Sequence, residues 1–298
     1  MILGLRLGRL RLGGPRIEDL AEGAVLAEQA GLDFVHLAAA ADGSIGGDPL
    51  SVAAYLMTKT RRMGLVASIP TSWAPFNVAR ALASFDLLSG GRCGWLPLID
   101  DPDTDPAREA EHLDVVLQLF DSWDDDTLVL DKAASVFADS GKVRRIQHEG
   151  VYFSVDGPLN APRPPQGWPV LMQPLGALSA VADIALIALD QLDATRPPTG
   201  SARLLAVTQV DARHHASGGA ALREHLVQAY SDGRCDGFVF ESVEPLIDIP
   251  LLADEVIPVL RALDPAPSAA GQGDFRARIG LPRPVNRFTT PTRAETFQ

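Results

Sequence analysis

Short apolar runs alternate with longer amphipathic stretches along most of the chain. The apolar runs are bounded by glycine, proline or charged residues, which is typical of strands that are buried on both faces. They predict eight strands: Ile2–Leu7, Asp33–Ala38, Met63–Ile69, Arg92–Leu98, Pro169–Gln173, Ile184–Leu189, Arg203–Val210 and Gly237–Glu241. Apolar residues three or four positions apart predict the helices Ile17–Ala30, Pro49–Arg62, Asn77–Leu88, Ala107–Ser122, Gly219–Ser231 and Ile249–Ala262. Eight strands that alternate with helices are the number that closes a barrel, so we expect an α/β fold of the (β/α)8 TIM-like type.

Two segments depart from this alternation. Between Leu189 and Arg203 the sequence contains two adjacent prolines and no apolar stripe, which predicts a loop and a shortened wall around strand 6. Residues 124–168 form a long insertion before strand 5, and its second half, residues 147–160, is typical of a hairpin. We therefore expect a single barrel domain over residues 1–263. A Pro/Gly-rich tail over residues 264–298 should be ordered only where it docks on a neighbour.

Composition and charge narrow the range of partners. The chain has 26 Lys and Arg residues against 38 Asp and Glu residues, a net charge of −12, so its surface should repel nucleic acid and anionic membranes. No apolar run approaches the roughly 20 residues that span a bilayer, and the N-terminus lacks the pattern of a secretory signal, so a cytoplasmic location is expected. Cys93 and Cys235 lack metal-ligand spacing and are expected to be buried, reduced thiols.

Several common site motifs are absent from the sequence or stand in the wrong context. Gly90 and Gly91 follow a predicted helix and precede a strand, which is the reverse of the order in a dinucleotide-binding loop and indicates a helix C-cap. Neither a P-loop nor a nucleophile-elbow motif occurs. The adjacent His214 and His215 are expected to be solvated rather than to share a metal, and the acidic run Asp124–Asp126 is expected to be a solvated loop. No metal site is predicted.

Three blocks of sequence resemble one family in both order and spacing. The blocks are Pro75–Arg80 with Ala83–Asp86 and Ser89–Trp95; Asp121–Trp123 with Val136–Asp139, Tyr152–Val155, Gly157–Asn160 and Arg163–Gly167; and Phe275–Pro284 near the end of the chain. They resemble the nitrilotriacetate and dibenzothiophene-sulfone monooxygenase branch of the bacterial luciferase-like superfamily. Members of this branch are flavin-dependent monooxygenases.

This resemblance implies a barrel enzyme that uses O2 and reduced FMN, supplied by a separate reductase, to oxygenate a small organic substrate. It also implies a homodimer, or a heterodimer with a full-length paralogue. The apolar outer faces predicted for Pro49–Met57 and Asn77–Leu88 favour such a dimer. The positions implied to contact the cofactor are Ser68, Ser72, Trp73, Gly176 and Ala177.

The chain departs from the family at the loops that follow the strands. His36–Ala39 stands where the family has Phe-Leu-Ala-Asp, Ser72–Phe76 replaces Tyr-x-Glu-Pro-Tyr, and Pro174–Ala177 replaces the phosphate loop Ala-Gly-Ser-Ser. At about 1 kcal/mol for each lost hydrogen bond, the combined replacements would weaken flavin binding by roughly three orders of magnitude. Backbone N–H groups at the start of a helix still offer a place for a phosphate.

Two functions therefore stay open at this stage. One is an FMN-dependent monooxygenase or related flavin oxidoreductase. The other is a family member without catalysis that serves as a partner subunit or binding protein, with flavin binding weakened or lost. A deazaflavin-dependent enzyme is a third possibility, although the matched motifs belong to a different branch.

Individual residues offer few catalytic candidates. His36 ends the second predicted strand, where it could act as a general base, although a histidine in a strand is more often structural. Trp73 and Trp95 suit either a stacked ring or the core. Arg80 and Asp86 lie on the third predicted helix, where we expect an ion pair that supports the barrel framework.

Overall fold

The structure is a computed structural model that describes residues 1–7, 16–38, 48–101, 103–176, 181–194, 202–242, 244–264 and 273–289. Within these residues the strands are β1 (Ile2–Leu7), β2 (Phe34–Leu37), β3 (Gly64–Pro70), β4 (Cys93–Leu98), β5 (Leu128–Asp131), β6 (Val136–Ala138), β7 (His148–Glu149), β8 (Ser154–Val155), β9 (Val170–Pro174), β10 (Ile184–Ala188), β11 (Arg203–Gln209) and β12 (Gly237–Ser242). Eight of them form a closed parallel barrel in the order β1-β2-β3-β4-β9-β10-β11-β12. The predicted barrel strands are confirmed, each within one residue at either end.

Helices cover the outside of the barrel. The described helices are α1 (Ile17–Gln29), α2 (Pro49–Leu56), α3 (Pro75–Ser89), α4 (Pro106–Phe120), α5 (Ala212–Ala216), α6 (Ala220–Ser231), α7 (Pro245–Leu251), α8 (Ile257–Leu263) and α9 (Phe275–Arg278), and a π-helical turn, Leu252–Val256, joins α7 to α8. The prediction Pro49–Arg62 was too long, because the chain turns after Met57 and the Thr60 hydroxyl donates to the Leu56 carbonyl. The prediction Ile249–Ala262 began too late, and α5 and α9 were not predicted.

Side chains of alternating strand positions build two separate apolar layers. The inward-facing set includes Ile2, Phe34, Val66 and Val239, all buried in the barrel interior. Leu3, Leu5, Val35 and Leu65 belong to the larger cluster that faces the helices. Two glycines leave room for large rings inside the barrel: a Cβ on Gly4 would meet the Phe34 ring at 2.1 Å, and a Cβ on Gly64 would meet the Phe275 ring at 2.6 Å. Small and large residues therefore fill the interior in turn.

The segment after β10 is short, as predicted. A 3-10 helix, Leu189–Ala194, follows the strand and packs against β10 and β11. Among residues 181–194 and 202–211 there is no α-helix on this side of the barrel, and the rest of the predicted loop, residues 195–201, lies outside the described residues. Within the described residues, this segment therefore covers the sixth barrel strand with a 3-10 helix and no α-helix.

The long insertion contains two small hairpins, β5-β6 and β7-β8, and the second confirms the hairpin predicted within residues 147–160. The acidic run at its start is only partly the solvated loop that was expected. Asp124 pairs with Arg144, and Asp125 accepts hydrogen bonds from Arg163 and Arg283. The guanidinium groups lower the pKa of Asp125 to about 2. These ion pairs attach the insertion to the rest of the chain.

Residues 273–289 of the predicted tail dock on the barrel. Phe275 is fully buried at the end of the barrel where the strands begin, and Arg276 forms two hydrogen bonds of 2.6 Å with the Asp183 carboxylate. Further along, the Asn286 amide donates to the backbone carbonyls of Asp121 and Trp123. Residues 265–272 and 290–298 lie outside the described residues. The segment closes one end of the barrel and leaves the other end open.

Candidate functional site

The open end of the barrel, where the carboxyl ends of the strands meet, contains a cavity of about 630 Å3. In barrels of this kind, ligands bind at this end, on the loops that follow the strands. Its walls come mainly from β1, β10, β11 and β12, and from the start of the 3-10 helix after β10. The lining residues include Arg6, Pro174, Leu186, Ala188, Asp190, Val207, Gln209, Asp211, Arg213, His214, His225 and Glu241.

One wall of this end is polar because four strands place polar side chains in one row. The register of the parallel strands pairs Gln209 with Glu241, Glu241 with Arg6, and Arg6 with His36. Each of these residues lies two positions along its strand from a residue that faces the barrel interior, so the row faces inward as well. Leu186 and Ala188 on β10, with Val207 on the neighbouring β11, line the same cavity beside this row and make an apolar wall.

Hydrogen bonds fix the tautomer of His36, one of the residues in this row. The Arg6 Nε–H group donates to His36 Nδ1 at 3.2 Å, and His36 Nε2 lies 2.9 Å from Ser68 Oγ. Because an arginine nitrogen only donates, Nδ1 must accept, and the ring proton resides on Nε2 and points to Ser68. Burial, with the nearby charge of Arg6, lowers the pKa of His36 to about 3. His36 is therefore neutral at physiological pH, and the lone pair on its Nδ1 already accepts the hydrogen bond from Arg6.

Ser72 and Trp73 lie at the same end, on the loop between β3 and α3. The Ser72 hydroxyl donates to the Asp100 carboxylate at 2.5 Å, and the Ser72 N–H donates to the same side chain. Trp73 is 40% exposed, and its carbonyl accepts a hydrogen bond from His112 Nε2. Trp95 is fully buried in the layer that faces the helices and does not reach the cavity. Of the two tryptophans, only Trp73 is available to a ligand.

The remaining predicted cofactor positions follow β9, which β4 separates from β3 in the barrel. Gly176 comes two residues after the end of β9, and a Cβ placed on it would meet nothing within 4 Å. Ala177 lies outside the described residues. Ser68 and His36 are thus in direct contact, Ser72 and Trp73 share a loop, and Gly176 lies two strands further round the barrel, after β9.

The expected ion pair between Arg80 and Asp86 is not formed. Arg80 is exposed, whereas Asp86 is fully buried and accepts hydrogen bonds from the Cys93 N–H and from Gln166. The reason is that Asp86 faces the barrel while Arg80, six residues away, lies on the outer face of α3. Asp86 still supports the framework, through neutral partners. Cys93 and Cys235 are buried free thiols, as expected.

The prediction of two solvated histidines was also wrong. His214 Nδ1 accepts a hydrogen bond from the Asp211 N–H at the start of α5, and His215 Nε2 lies 2.7 Å from the carboxylate of the buried Asp248. Both rings are half-buried. Because α5 was not predicted, the polar sequence there was interpreted as an exposed loop.

Sequence reasoning missed Arg6, Gln209 and Glu241. Each occurs near the end of a strand that was correctly predicted, and each shares the inward face with apolar residues or glycines. A polar or charged residue at an inward-facing position of a buried strand is the signal that could have identified them.

Known proteins with similar sequence and structure support an assignment to a family. The family model for luciferase-like monooxygenases matches residues 2–206. One of the subunits of pristinamycin IIA synthase from Streptomyces pristinaespiralis is 34% identical over 269 residues, which cover 89% of this chain and 90% of that protein. Dibenzothiophene-sulfone monooxygenase of Rhodococcus erythropolis is 41% identical over 147 residues, which cover 44% of this chain but only 32% of that enzyme.

Among solved structures, riboflavin lyase with modified FMN and riboflavin matches with a TM-score of 0.77. The match covers 94% of this chain and 95% of that one at 22% identity, which shows a shared fold. In the part of the chain that the structure describes, no helix is long and apolar enough to cross a membrane. With the family model matching more than half of the chain and one relative aligned along nearly its whole length, this barrel belongs to the luciferase-like monooxygenase family.

Proposed function

We propose that this chain is a flavin-dependent monooxygenase that oxygenates a small organic substrate with O2 and reduced FMN. The observation that carries the proposal is the cavity of about 630 Å3 at the carboxyl end of the barrel, which has one apolar and one polar wall. Polar and apolar residues line this cavity in about equal measure, which suits a ligand that has both an apolar ring system and hydrogen-bonding groups. Its polar row favours an enzyme over a family member without catalysis.

The residues present suit a flavin. Leu186, Ala188 and Val207 offer an apolar surface for a flat ring system, and Arg6 offers hydrogen-bond donors to its edge. The Ser68 hydroxyl, which is buried beside His36, remains a proposed contact. Ser72, Trp73, Gly176 and Ala177 remain proposed contacts, since the strands before them end at the same face of the barrel. When bound, reduced flavin would supply the electrons that activate O2. The chain itself would orient the ring, and its apolar wall would exclude water from the reacting atoms.

The relatives support two further parts of the proposal. Nitrilotriacetate monooxygenase component A of Aminobacter aminovorans, 35% identical over 142 residues, is named as one component of a system. We propose that a separate reductase supplies reduced FMN to this chain too. The pristinamycin IIA synthase relative, matched along 90% of its length, is named as one subunit of that synthase, which favours assembly with a different subunit over a homodimer. The location in the cell is proposed to be the cytoplasm.

The first test is a titration of the purified chain with oxidised FMN, and with reduced FMN under anaerobic conditions. We expect dissociation constants on the order of micromolar for the reduced form, followed by protein fluorescence quenching. Ala188→Trp should weaken binding by about tenfold or more, because the indole fills the cavity next to the apolar wall. Ala216→Trp, at an exposed position of α5, is the matched control and should leave the affinity unchanged.

Two outcomes would contradict the proposal. Absence of FMN binding up to millimolar concentrations, with the fold intact by circular dichroism, would exclude a flavin enzyme. Tight binding of a deazaflavin in place of FMN would assign a different coenzyme. If FMN binds, turnover is tested with a flavin reductase, NADH, O2 and dibenzothiophene sulfone as a first heterocyclic substrate.

A further inference from the structure

Two oppositely charged side chains on the polar wall, Arg6 and Glu241, have terminal nitrogen and oxygen atoms that no other described side chain occupies. Arg6 Nη1 and Glu241 Oε1 lie 3.9 Å apart, which is beyond hydrogen-bond distance. Among the described residues, neither the terminal nitrogens of Arg6 nor the Glu241 carboxylate takes part in a side-chain hydrogen bond, and both side chains line the cavity. About a fifth of Arg6 and a third of Glu241 are exposed. A donor and an acceptor thus stand side by side, ready for a ligand.

The fold holds this pair in place. Arg6 and Glu241 are direct partners in the register of β1 and β12, so their backbones cannot separate without opening the barrel. The Nε–H group of Arg6 donates to His36, which fixes the plane of the guanidinium group. The pair is therefore positioned before any ligand arrives, and positioning of this kind reduces the entropic cost of binding.

The charges restrict the chemistry of the ligand. A simple anion near Arg6 would be repelled by Glu241, and a simple cation near Glu241 would be repelled by Arg6. A neutral group with a carbonyl oxygen next to an N–H satisfies both. Standard bond lengths place the oxygen and the nitrogen of an amide about 2.2 Å apart. The oxygen can therefore reach Arg6 Nη1 while the N–H reaches Glu241 Oε1, since these two side-chain atoms are 3.9 Å apart.

We propose that Arg6 and Glu241 bind the amide-type edge of a lactam or imide, with Arg6 donating to the carbonyl oxygen and Glu241 accepting the adjacent N–H. This inference rests on the proposed function, since it defines a subsite of the same cavity. Two sources have this chemistry: the pyrimidinedione ring of the flavin itself and a lactam-containing substrate. Leu186 and Val207, which line the same cavity on β10 and β11, suit the apolar remainder of either molecule.

The test compares two probe pairs by calorimetric or fluorescence titration: FMN with its N3-methyl derivative, and 2-piperidone with N-methyl-2-piperidone. Methylation removes the N–H that Glu241 accepts. We expect the parent of one pair to bind about tenfold more tightly than its methyl derivative, because a site built for a hydrogen bond rejects the analogue that lacks it. Discrimination in the FMN pair assigns the edge to the flavin, and discrimination in the piperidone pair assigns it to the substrate.

Variants separate the acceptor role of Glu241 from the donor role of Arg6. Glu241→Leu should reduce the parent-to-methyl ratio to about one, and Glu241→Gln, which keeps an acceptor, should retain part of it. Arg6→Met should weaken parent and methyl derivative alike, by about tenfold. Arg203→Met is the matched control, since it breaks a comparable pair with Asp236 at the closed end of the barrel and should leave the ratio unchanged.

Equal binding of parent and derivative in both pairs, with FMN still bound, would overturn this inference and leave the proposed function standing. Discrimination in the piperidone pair without FMN binding would instead overturn the proposed function and retain the subsite. Thermal unfolding of each variant, monitored by circular dichroism, shows that a lost ratio does not reflect a lost fold.

Discussion

Replacing Phe275 with alanine is expected to lower the free energy of unfolding by about 3–5 kcal/mol, the usual cost of deleting a large buried ring. Phe275 is fully buried, and its ring centroid lies 5.9 Å from that of Phe34 inside the barrel. Gly64 and Gly94 leave the space that the ring fills, since a Cβ on either would meet it within 3.4 Å. The strands are fixed by their own hydrogen bonds and cannot collapse into the resulting cavity.

Urea unfolding of the wild-type chain and Phe275→Ala measures this effect. Val285→Ala is the control from the same segment, because Val285 is 81% exposed and its truncation should cost less than about 0.5 kcal/mol. Equal stability of all three proteins would show that the C-terminal segment does not dock in the barrel. An effect confined to Phe275→Ala would establish residues 273–289 as part of the folded domain.

The barrel itself was predictable because its strands are buried on both faces. Each produces a compact apolar run, such as Gly64–Pro70, and the amphipathic helices between them follow from their spacing. The docking of Phe275 was harder to predict from the sequence, since this aromatic residue stands between two charged residues. The family resemblance of Phe275–Pro284 indicated a closing segment, but not that its first residue enters the barrel.

The candidate site was harder to predict because it depends on the register between strands that are far apart in the sequence. Arg6 and Glu241 are 235 positions apart, and only the pairing of β1 with β12 places them side by side. The direction in which a helix residue points is equally hard to predict. The spacing along the helix suggested that Asp86 pairs with Arg80, whereas the buried Asp86 carboxylate accepts a hydrogen bond from Gln166 in the insertion. Local patterns thus predict which elements form, while the chemistry of the site requires the closed topology.

The family resemblance supplied what these patterns could not, namely flavin chemistry at the open end. It also implied that the chain lacks hydroxyls and carboxylates that the family has in the loops after the strands. The structure shows that polar groups at this end come instead from inside the strands, through Arg6, His36 and Ser68. A loss of contacts in the loops therefore does not leave the cavity without hydrogen-bonding groups.

The second large effect is expected at Asp86, the buried carboxylate that joins α3, β4 and the insertion. Its Oδ1 accepts from the Cys93 N–H at 3.0 Å and from Gln166 Nε2 at 2.6 Å. Asp86→Ala should lower the free energy of unfolding by roughly 2–4 kcal/mol, because these donors would be left buried without an acceptor. Asp86→Asn keeps an oxygen in this place and should cost much less at neutral pH.

Asp86 should also make stability depend on pH. Burial raises its pKa from 3.8 to about 6, so the folded chain holds a proton that the unfolded chain has already released. The resulting stabilisation is fully present below pH 3.8 and is lost as the pH rises through 6. Between pH 5 and pH 7.5 the wild-type chain should lose about 1.4 kcal/mol relative to Asp86→Asn, which cannot titrate. Urea unfolding of both proteins across this range measures the difference, and a constant difference would show that Asp86 keeps its ordinary pKa in the fold.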